Sequence, residues 1–110
     1  HIDSVAFGEI TVDGKTHYSD VVLYWNGRLD YRPKSHALSI GEFAEVSKGA
    51  DAVVVGTGLE GGIRIQGRVV DLAENQKIKL VIGKTDDVKD VFNGLVKEGK
   101  KVVAILQTTL

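Results

Sequence analysis

Three apolar runs in the second half of the chain limit what it can fold into. They span Ala52 to Val55, Ile78 to Ile82 and Val102 to Leu106, and the first has no polar residue at all. An unbroken apolar run of this length is typical of a central strand covered on both faces. Helical patterns separate the runs, from Arg68 to Gln76 and from Thr85 to Lys97. The segment therefore predicts a β-α-β-α-β unit with a mainly parallel sheet and helices packed upon it.

The first half of the chain has the pattern of β-hairpins. An extended run from Val5 to Val12 precedes Asp13-Gly14, which is one of the strongest turn signals for a two-residue hairpin. A second hairpin is predicted from Asp20 to Trp25, through Asn26-Gly27, and back along Arg28 to Tyr31. We expect these hairpins to cover another part of the sheet.

Capping signals place two helix starts. Ser39 and Glu42 fit a capping box, in which a hydroxyl and a carboxylate satisfy each other's backbone amides, so a helix is predicted from about Ile40 to Lys48. Thr85 is expected to cap the third helix, with Asp86-Asp87 in its positive first turn.

Length and composition favour one domain over residues 1–110. The chain has 110 residues, 43% of them hydrophobic and 26% charged, which is unlike either a disordered segment or a membrane protein. The net charge of −1 removes the electrostatic basis for general binding to nucleic acid or to anionic membranes. We therefore expect no nucleic-acid partner and no membrane partner.

The absence of cysteine excludes several kinds of site. Disulfides, thiolate metal sites and cysteine nucleophiles are all impossible in this chain. The apolar runs are too short to cross a bilayer, and the first ten residues lack the pattern of a secretory leader. We expect a cytoplasmic protein.

A glycine-rich segment directly follows the first apolar run. Gly56-Thr57-Gly58-Leu59-Glu60-Gly61 matches the G-x-G-x-x-G pattern of dinucleotide-binding turns. In that pattern the third glycine already lies in a helix, whereas Ile63 to Ile65 looks extended, and no acidic residue follows Ile82 where one is expected. No cofactor is therefore predicted. We interpret the glycines as a tight turn that only glycine can make.

A small anion is the alternative at the same place. Ligands of open α/β sheets bind beyond the carboxyl ends of the strands, and Arg68 and Lys84 could also lie near that edge. The candidate ligand-binding residues are Gly56, Thr57, Gly58, His36, Lys34 and Arg64.

The histidines give little support for a metal or catalytic site. Neither His17 nor His36 has a partner at the spacing of a metal pair, so no metal site is predicted. His36, close to Lys34, is the better candidate for contacting a ligand, and the alternative is an ordinary hydrogen-bonding loop residue. No G-x-S-x-G nucleophile motif occurs, and no catalytic residue is predicted.

Short motifs with a recognisable order and spacing run through nearly the whole chain. They are Phe7-Gly8, Asp13-Gly14-Lys15, Ser19-Asp20-Val21-Val22, Lys34 with His36-Ala37-Leu38-Ser39, Val55-Gly56-Thr57-Gly58, Thr85, Phe92-Asn93-Gly94-Leu95 and Glu98-Gly99-Lys100. Together they resemble the Mth-type domain family, which includes an adipogenesis-associated protein and a mitochondrial complex I assembly factor. The resemblance implies a three-layer α/β domain with a mixed central sheet, flanked by helices and an added β layer. It implies neither a catalytic activity nor a cofactor.

The end of the chain departs from the family pattern. Many relatives finish the last strand with a histidine and a terminal cysteine, whereas this chain has Gln107-Thr108-Thr109-Leu110. Any imidazole or thiol role of those relatives is therefore missing here.

Two functions remain open on the sequence. The first is a non-enzymatic protein-interaction or assembly-type domain that self-associates or binds a protein partner. It predicts an exposed apolar or aromatic patch on a hairpin face or a sheet edge. The second is a small-anion-binding protein, or an enzyme, that uses the Gly-Thr-Gly turn. It requires a pocket where Thr57 and Gly58 meet His36 or Arg64.

Overall fold

A computed structural model describes all 110 residues. It contains ten strands and three helices, in the order β1 (Ile2–Ala6), β2 (Glu9–Val12), β3 (Lys15–His17), β4 (Asp20–Tyr24), β5 (Leu29–Arg32), β6 (Ala37–Leu38), α1 (Ile40–Val46), β7 (Ala52–Gly56), β8 (Arg64–Ile65), α2 (Gly67–Asn75), β9 (Lys79–Gly83), α3 (Thr85–Lys97) and β10 (Val102–Leu106).

Five strands form one mixed sheet in the order β5-β4-β10-β7-β9. The three strands of the predicted β-α-β-α-β unit, β7, β9 and β10, are parallel to one another. β4 pairs antiparallel with β10, and β5 pairs antiparallel with β4. All residues of β7 and β10 are buried, because both strands lie inside the sheet and are covered on both faces. The α/β class and the mixed central sheet are confirmed.

The central strands bury alternate residues in two separate cores. Val53 and Val55 of β7 pack with Phe43 of α1 and Val69 of α2 on one face. On the other face Val54 belongs to a core built from α3 and from the strands β1 and β2. Because side chains alternate along a strand, this sheet is covered by helices on one side and by a helix with a small β layer on the other. These are the three layers that the family resemblance implies.

The two predicted hairpins have different places in the fold. β1, β2 and β3 form a separate antiparallel sheet that packs over the central one, as expected. The β4–β5 hairpin instead extends the central sheet through β4, so the expectation that both hairpins cover the sheet is wrong for this one. β4 is buried from Asp20 to Leu23, and its backbone is satisfied by pairing with β10 on one side and with β5 on the other.

An additional turn, not predicted from the sequence, divides the extended run from Val5 to Val12. Gly8 has a φ of +79°, and its N–H donates to the carbonyl of Thr108 at 2.8 Å. β1 and β2 are therefore two strands of a hairpin. The next turn, Asp13-Gly14, is confirmed, and both residues have positive φ.

The turn between β4 and β5 uses one residue with positive φ instead of the two expected. Gly27 has a φ of +92°, whereas Asn26 does not enter that region. The N–H of Gly27 donates to the carbonyl of Tyr24 at 3.0 Å. The N–H of Tyr24 donates to the carbonyl of Arg28 at 2.8 Å. β4 therefore ends at Tyr24, and Trp25 lies in the turn.

Only half of the predicted capping box at α1 forms. The hydroxyl of Ser39 accepts from the N–H of Glu42 at 3.2 Å, as predicted. The carboxylate of Glu42 does not return to the backbone of Ser39, because it binds the guanidinium of Arg32. The helix ends at Val46, two residues before the predicted Lys48.

The prediction that Thr85 caps α3 is wrong. Lys84 occupies the capping position, and Thr85 is the first residue of the helix. The hydroxyl of Thr85 donates to the carbonyl of Gln107 at 2.6 Å and accepts from the N–H of Gly58 at 3.0 Å. This side chain thus joins the segments that follow β7 and β10, which a local capping rule cannot show.

Candidate functional site

The carboxyl ends of β7, β9 and β10 lie side by side at one end of the central sheet. The antiparallel strand β4 begins at the same end. In open α/β sheets this is the edge where ligands bind. The glycine-rich segment, the residues after β10 and the start of β4 therefore form the region to search for a site.

The first part of the glycine turn is bonded to the protein itself. The N–H of Thr57 donates to the carbonyl of Gly83 at 2.8 Å, and its hydroxyl donates to the same carbonyl at 3.1 Å. The N–H of Gly58 donates to the hydroxyl of Thr85. Gly56 has no room for a side chain, because a Cβ there would lie 2.7 Å from the Oγ1 of Thr85.

The end of the chain lies against the second part of the turn. The N–H of Leu59 donates to the carbonyl of Thr109 at 2.8 Å, and the N–H of Gly62 donates to the main-chain oxygen of Leu110 at 2.6 Å. A Cβ on Gly58 would overlap the main chain of Leu110. The glycines thus allow two chain segments to come into close contact. This agrees with the interpretation that the turn needs glycine for its backbone conformation and not for binding a nucleotide.

The other candidate ligand-binding residues lie around this contact. The ammonium of Lys34 donates to the hydroxyl of Thr109 at 2.7 Å. His36 and Arg64 meet through their main chains, because the N–H of Arg64 donates to the carbonyl of His36 at 2.7 Å, and both residues are exposed. Most turn amides are already bonded within the chain, so an anion would depend mainly on these side chains. Binding of a small anion here stays a prediction.

A cleft of about 190 Å³ opens beside the same edge, and one of its lining residues, Asp20, is not among the predicted ligand-binding residues. Asp20, which is 4% exposed, lies in this cleft with Arg32, Lys34 and Thr108. Its Oδ1 accepts from the N–H of Thr108 at 2.8 Å and from the Thr108 hydroxyl at 3.1 Å. Its Oδ2 is buried and has no hydrogen-bond partner. The sequence signal for Asp20 is a carboxylate directly before an apolar run, Val21-Val22-Leu23.

The other buried side-chain N and O atoms without a hydrogen-bond partner belong to Gln107. Its side chain is fully buried, and neither Oε1 nor Nε2 has a partner. The register that pairs Leu106 with Val21 places Gln107 opposite Asp20 on the neighbouring strand. All buried side-chain N and O atoms without partners therefore belong to two residues at adjacent positions, which is unusual because buried polar groups are normally satisfied.

Gln107 directly after β10, Asp20 on β4 and Arg32 on β5 occupy adjacent positions, with Asp20 in the middle. Asp20 and Arg32 are register partners, but no ion pair joins them. The guanidinium of Arg32 is held by Glu42 through Nε at 2.6 Å and Nη2 at 2.9 Å, and Nη2 also donates to the carbonyl of Ala37 at 2.9 Å. The charge of Arg32 is thus already paired.

Exposed apolar side chains lie on the hairpins and on a sheet edge, as the interaction hypothesis expects. Phe7 is exposed in the turn between β1 and β2, Tyr18 is exposed between β3 and β4, and Tyr31 is 63% exposed on the edge strand β5. A hydrogen bond of 3.0 Å joins the hydroxyl of Tyr31 to Nδ1 of His17. On the opposite edge strand, β9, Ile82 is 45% exposed. None of the three helices combines the length and the apolar character that crossing a bilayer requires, and a cytoplasmic location stays a prediction.

The three-layer fold and the matching family model agree on the class of protein. The chain belongs to the family described as protein of unknown function (DUF498/DUF598), whose model matches residues 2–107.

Solved structures show the same fold over nearly the whole chain. A conserved hypothetical protein of Pyrococcus horikoshii OT3 is 26% identical with a TM-score of 0.87, covering 100% of this chain and 99% of that chain. A protein named MT938 is 20% identical with a TM-score of 0.83, covering 99% and 97%. A Bordetella pertussis protein described as an Mth938-like domain is 13% identical with a TM-score of 0.77, covering 97% and 84%. The predicted membership of the Mth-type domain family is confirmed.

Proposed function

We propose that this chain is a protein-interaction domain of the assembly type, and that it associates with a second copy of itself through the edge of β9. The observation that carries the proposal is the exposed Ile82 on an edge strand whose outer backbone groups are unpaired. Unpaired strand edges are templates for pairing with another chain.

The hydrogen-bond pattern identifies the outward-facing residues of β9. The N–H of Lys79 donates to the carbonyl of Asp51 at 3.1 Å, and the carbonyl of Gly83 accepts from Thr57. Both ends of β9 are therefore bonded to the β7 side of the sheet. Because residues of a parallel strand face the neighbouring strand alternately, the N–H and C=O groups of Leu80 and Ile82 point outward.

Charge favours β9 over the other edge of the sheet. In an antiparallel pair of two β9 strands centred on Val81, Leu80 lies opposite the partner's Ile82, and no like charges face each other. The equivalent pairing of two β5 strands would place Asp30 opposite the partner's Asp30. Like charges directly opposite on paired strands are destabilising. β9 is therefore the better surface for a symmetric contact.

The two helices that contact β9 also carry exposed apolar side chains. α2 and α3 both contact β9, and each exposes a valine, Val70 on α2 and Val91 on α3. Exposed apolar groups around an edge strand can contribute buried area that main-chain pairing alone does not supply.

Light scattering after size-exclusion chromatography tests the proposal over a range of concentrations. We expect a dimer for the wild type and a monomer for Ile82→Lys, because two ammonium groups would then face the apolar contact. Ile82 is 45% exposed and belongs to neither core, so the circular dichroism spectrum of this variant should show the wild-type fold. Tyr31→Lys, on the β5 edge, is the matched control and should remain dimeric. A wild type that stays monomeric at millimolar concentration would refute self-association. A dimer that dissociates with Tyr31→Lys but not with Ile82→Lys would show that the interface lies on β5 and not on β9.

A further inference from the structure

A cleft of about 830 Å³ lies between the edge strand β5 of the central sheet and the edge strand β3 of the N-terminal sheet. β5 contributes Leu29, Asp30 and Tyr31 to its lining, and β3 contributes Lys15 and His17. The hydrogen bond of 3.0 Å between the Tyr31 hydroxyl and Nδ1 of His17 joins the two strands. Two strand edges that pair with nothing on their outer sides therefore border one space.

The main chain of β5 has unpaired groups on its outer edge. The N–H of Tyr24 donates to the carbonyl of Arg28, so the residue directly before β5 is bonded to β4. In an antiparallel pair the main-chain groups face the neighbouring strand at every second residue, and the register of β4 and β5 has no shift. Asp30 is therefore bonded to β4, whereas the N–H and C=O groups of Leu29 and Tyr31 point away from it.

Lys15 carries an ammonium group that the protein leaves unpaired in this cleft. Asp30 pairs with Arg28 at 2.8 Å, and Asp13, the other carboxylate of the cleft, pairs with the N-terminal ammonium at 2.9 Å. Lys15 is exposed, and no acidic group lies within 4.0 Å of its ammonium. The cleft is therefore complementary to a ligand that brings one carboxylate.

Apolar side chains supply the remaining contact surface of the cleft. Val12 and Leu29 both line it. Val12 belongs to the core on this side of the sheet, and Leu29 packs against that core while staying only partly buried. Because side chains alternate along an extended chain, a strand added to β5 places every second side chain on the same face as Leu29.

We propose that β5 binds an extended segment of a different protein as an added strand, with an acidic side chain of that segment against Lys15. The main chain of the segment pairs with Leu29 and Tyr31, and an apolar side chain beside the acidic one contacts Val12 and Leu29. In this mode of recognition main-chain bonds give affinity and alternate side chains give specificity. A second copy of this chain fits less well, because two paired β5 strands bring Asp30 against Asp30. The surface is separate from β9, so the inference does not depend on the proposed self-association.

Two-dimensional 1H–15N NMR tests this site with a five-residue peptide blocked at both ends. The peptide has glutamate at its centre, valine at both ends and threonine between them, so the glutamate and the valines share one face in either direction of pairing. At saturation we expect at least tenfold slower hydrogen exchange at the amides of Leu29 and Tyr31, because each gains an acceptor. The amide of Asp30 is the internal control, since it is already bonded to β4. No saturable shift up to 10-millimolar peptide would overturn the proposal, and so would shifts confined to β9.

Changes to the peptide separate main-chain pairing from charge. N-methylation of its internal amides removes the main-chain donors and should weaken binding at least tenfold. Replacement of its glutamate by glutamine should weaken binding about threefold, which is the size expected for an exposed ion pair. Unchanged affinity after N-methylation would contradict strand addition.

A variant of the protein assigns the charged contact. Lys15→Gln should weaken binding of the glutamate peptide about threefold and leave binding of the glutamine peptide unchanged. Lys48→Gln is the matched control, because Lys48 is exposed and pairs with Glu45 outside this cleft. Equal losses for the two peptides in Lys15→Gln would contradict the contact between Lys15 and the acidic side chain.

Discussion

Glu42 holds the guanidinium of Arg32 with both of its carboxylate oxygens, at 2.6 Å and 2.9 Å. The Arg32 side chain is only 2% exposed, whereas that of Glu42 is 28% exposed. This pair fixes the start of α1 to the end of β5. A buried guanidinium depends strongly on such a partner, because its charge has lost most of its contact with water.

Glu42→Gln should therefore destabilise the protein by about 3 kcal/mol, since it leaves a buried guanidinium without a counter-charge. Urea denaturation of the purified variant measures this change. Glu45→Gln is the matched control, because Glu45 forms an exposed ion pair with Lys48 and its loss should change stability by at most about 0.5 kcal/mol. Similar losses in the two variants would show that the Arg32 pair is no stronger than a surface pair.

Thr85→Val should destabilise the fold by about 3 kcal/mol. The variant keeps the shape of the side chain but leaves the N–H of Gly58 and the carbonyl of Gln107 without a partner in the interior. Thr85→Ser keeps the hydroxyl and should recover most of the loss. Thermal unfolding followed by circular dichroism compares the three proteins, and a Ser variant as unstable as the Val variant would contradict this role of the hydroxyl.

Gly58→Ala should displace the end of the chain from the glycine turn. Gly58 has a φ of +102°, and a Cβ there would overlap the main chain of Leu110, so we expect a loss of about 3 kcal/mol. Amide exchange measured by NMR should show faster exchange at Leu59 and Gly62, whose N–H groups bond to that segment. Gly94→Ala is the control, because Gly94 lies in α3 with open space around it and should gain about 0.5–1 kcal/mol. Unchanged exchange at Leu59 would contradict the contact.

Gln107→Met should stabilise the protein by about 1 kcal/mol, because it replaces an unsatisfied buried amide by an apolar side chain of similar shape. The melting temperature of the variant measures this gain. Gln76→Met, at an exposed position, is the control and should change stability by less than about 0.5 kcal/mol. A lower melting temperature for Gln107→Met would mean that the amide is satisfied in solution.

Sequence patterns predict only part of the candidate site. They indicate Lys34 as a ligand-binding residue, and Lys34 does line a cleft at the predicted edge of the sheet. They do not indicate Asp20 or Gln107, because nothing in the immediate neighbours of these residues shows that they occupy adjacent strands. The Gly56-Thr57-Gly58 turn was correctly placed after β7, but the segment that fills it, Thr109 and Leu110, lies some fifty residues away.

Signals between neighbouring residues are enough to predict most individual elements of this protein. The apolar runs predicted β7 and β10, Asp13-Gly14 predicted a hairpin, and Ser39 predicted the start of α1, because alternation, turn conformation and capping depend on residues a few positions apart. Three relationships emerge only from the packed fold: β4 pairs with β10, Glu42 binds Arg32, and Thr85 joins two strand ends. These relationships connect residues that are distant in the chain, and they are settled by which arrangement of whole layers buries the apolar faces and satisfies the buried backbone.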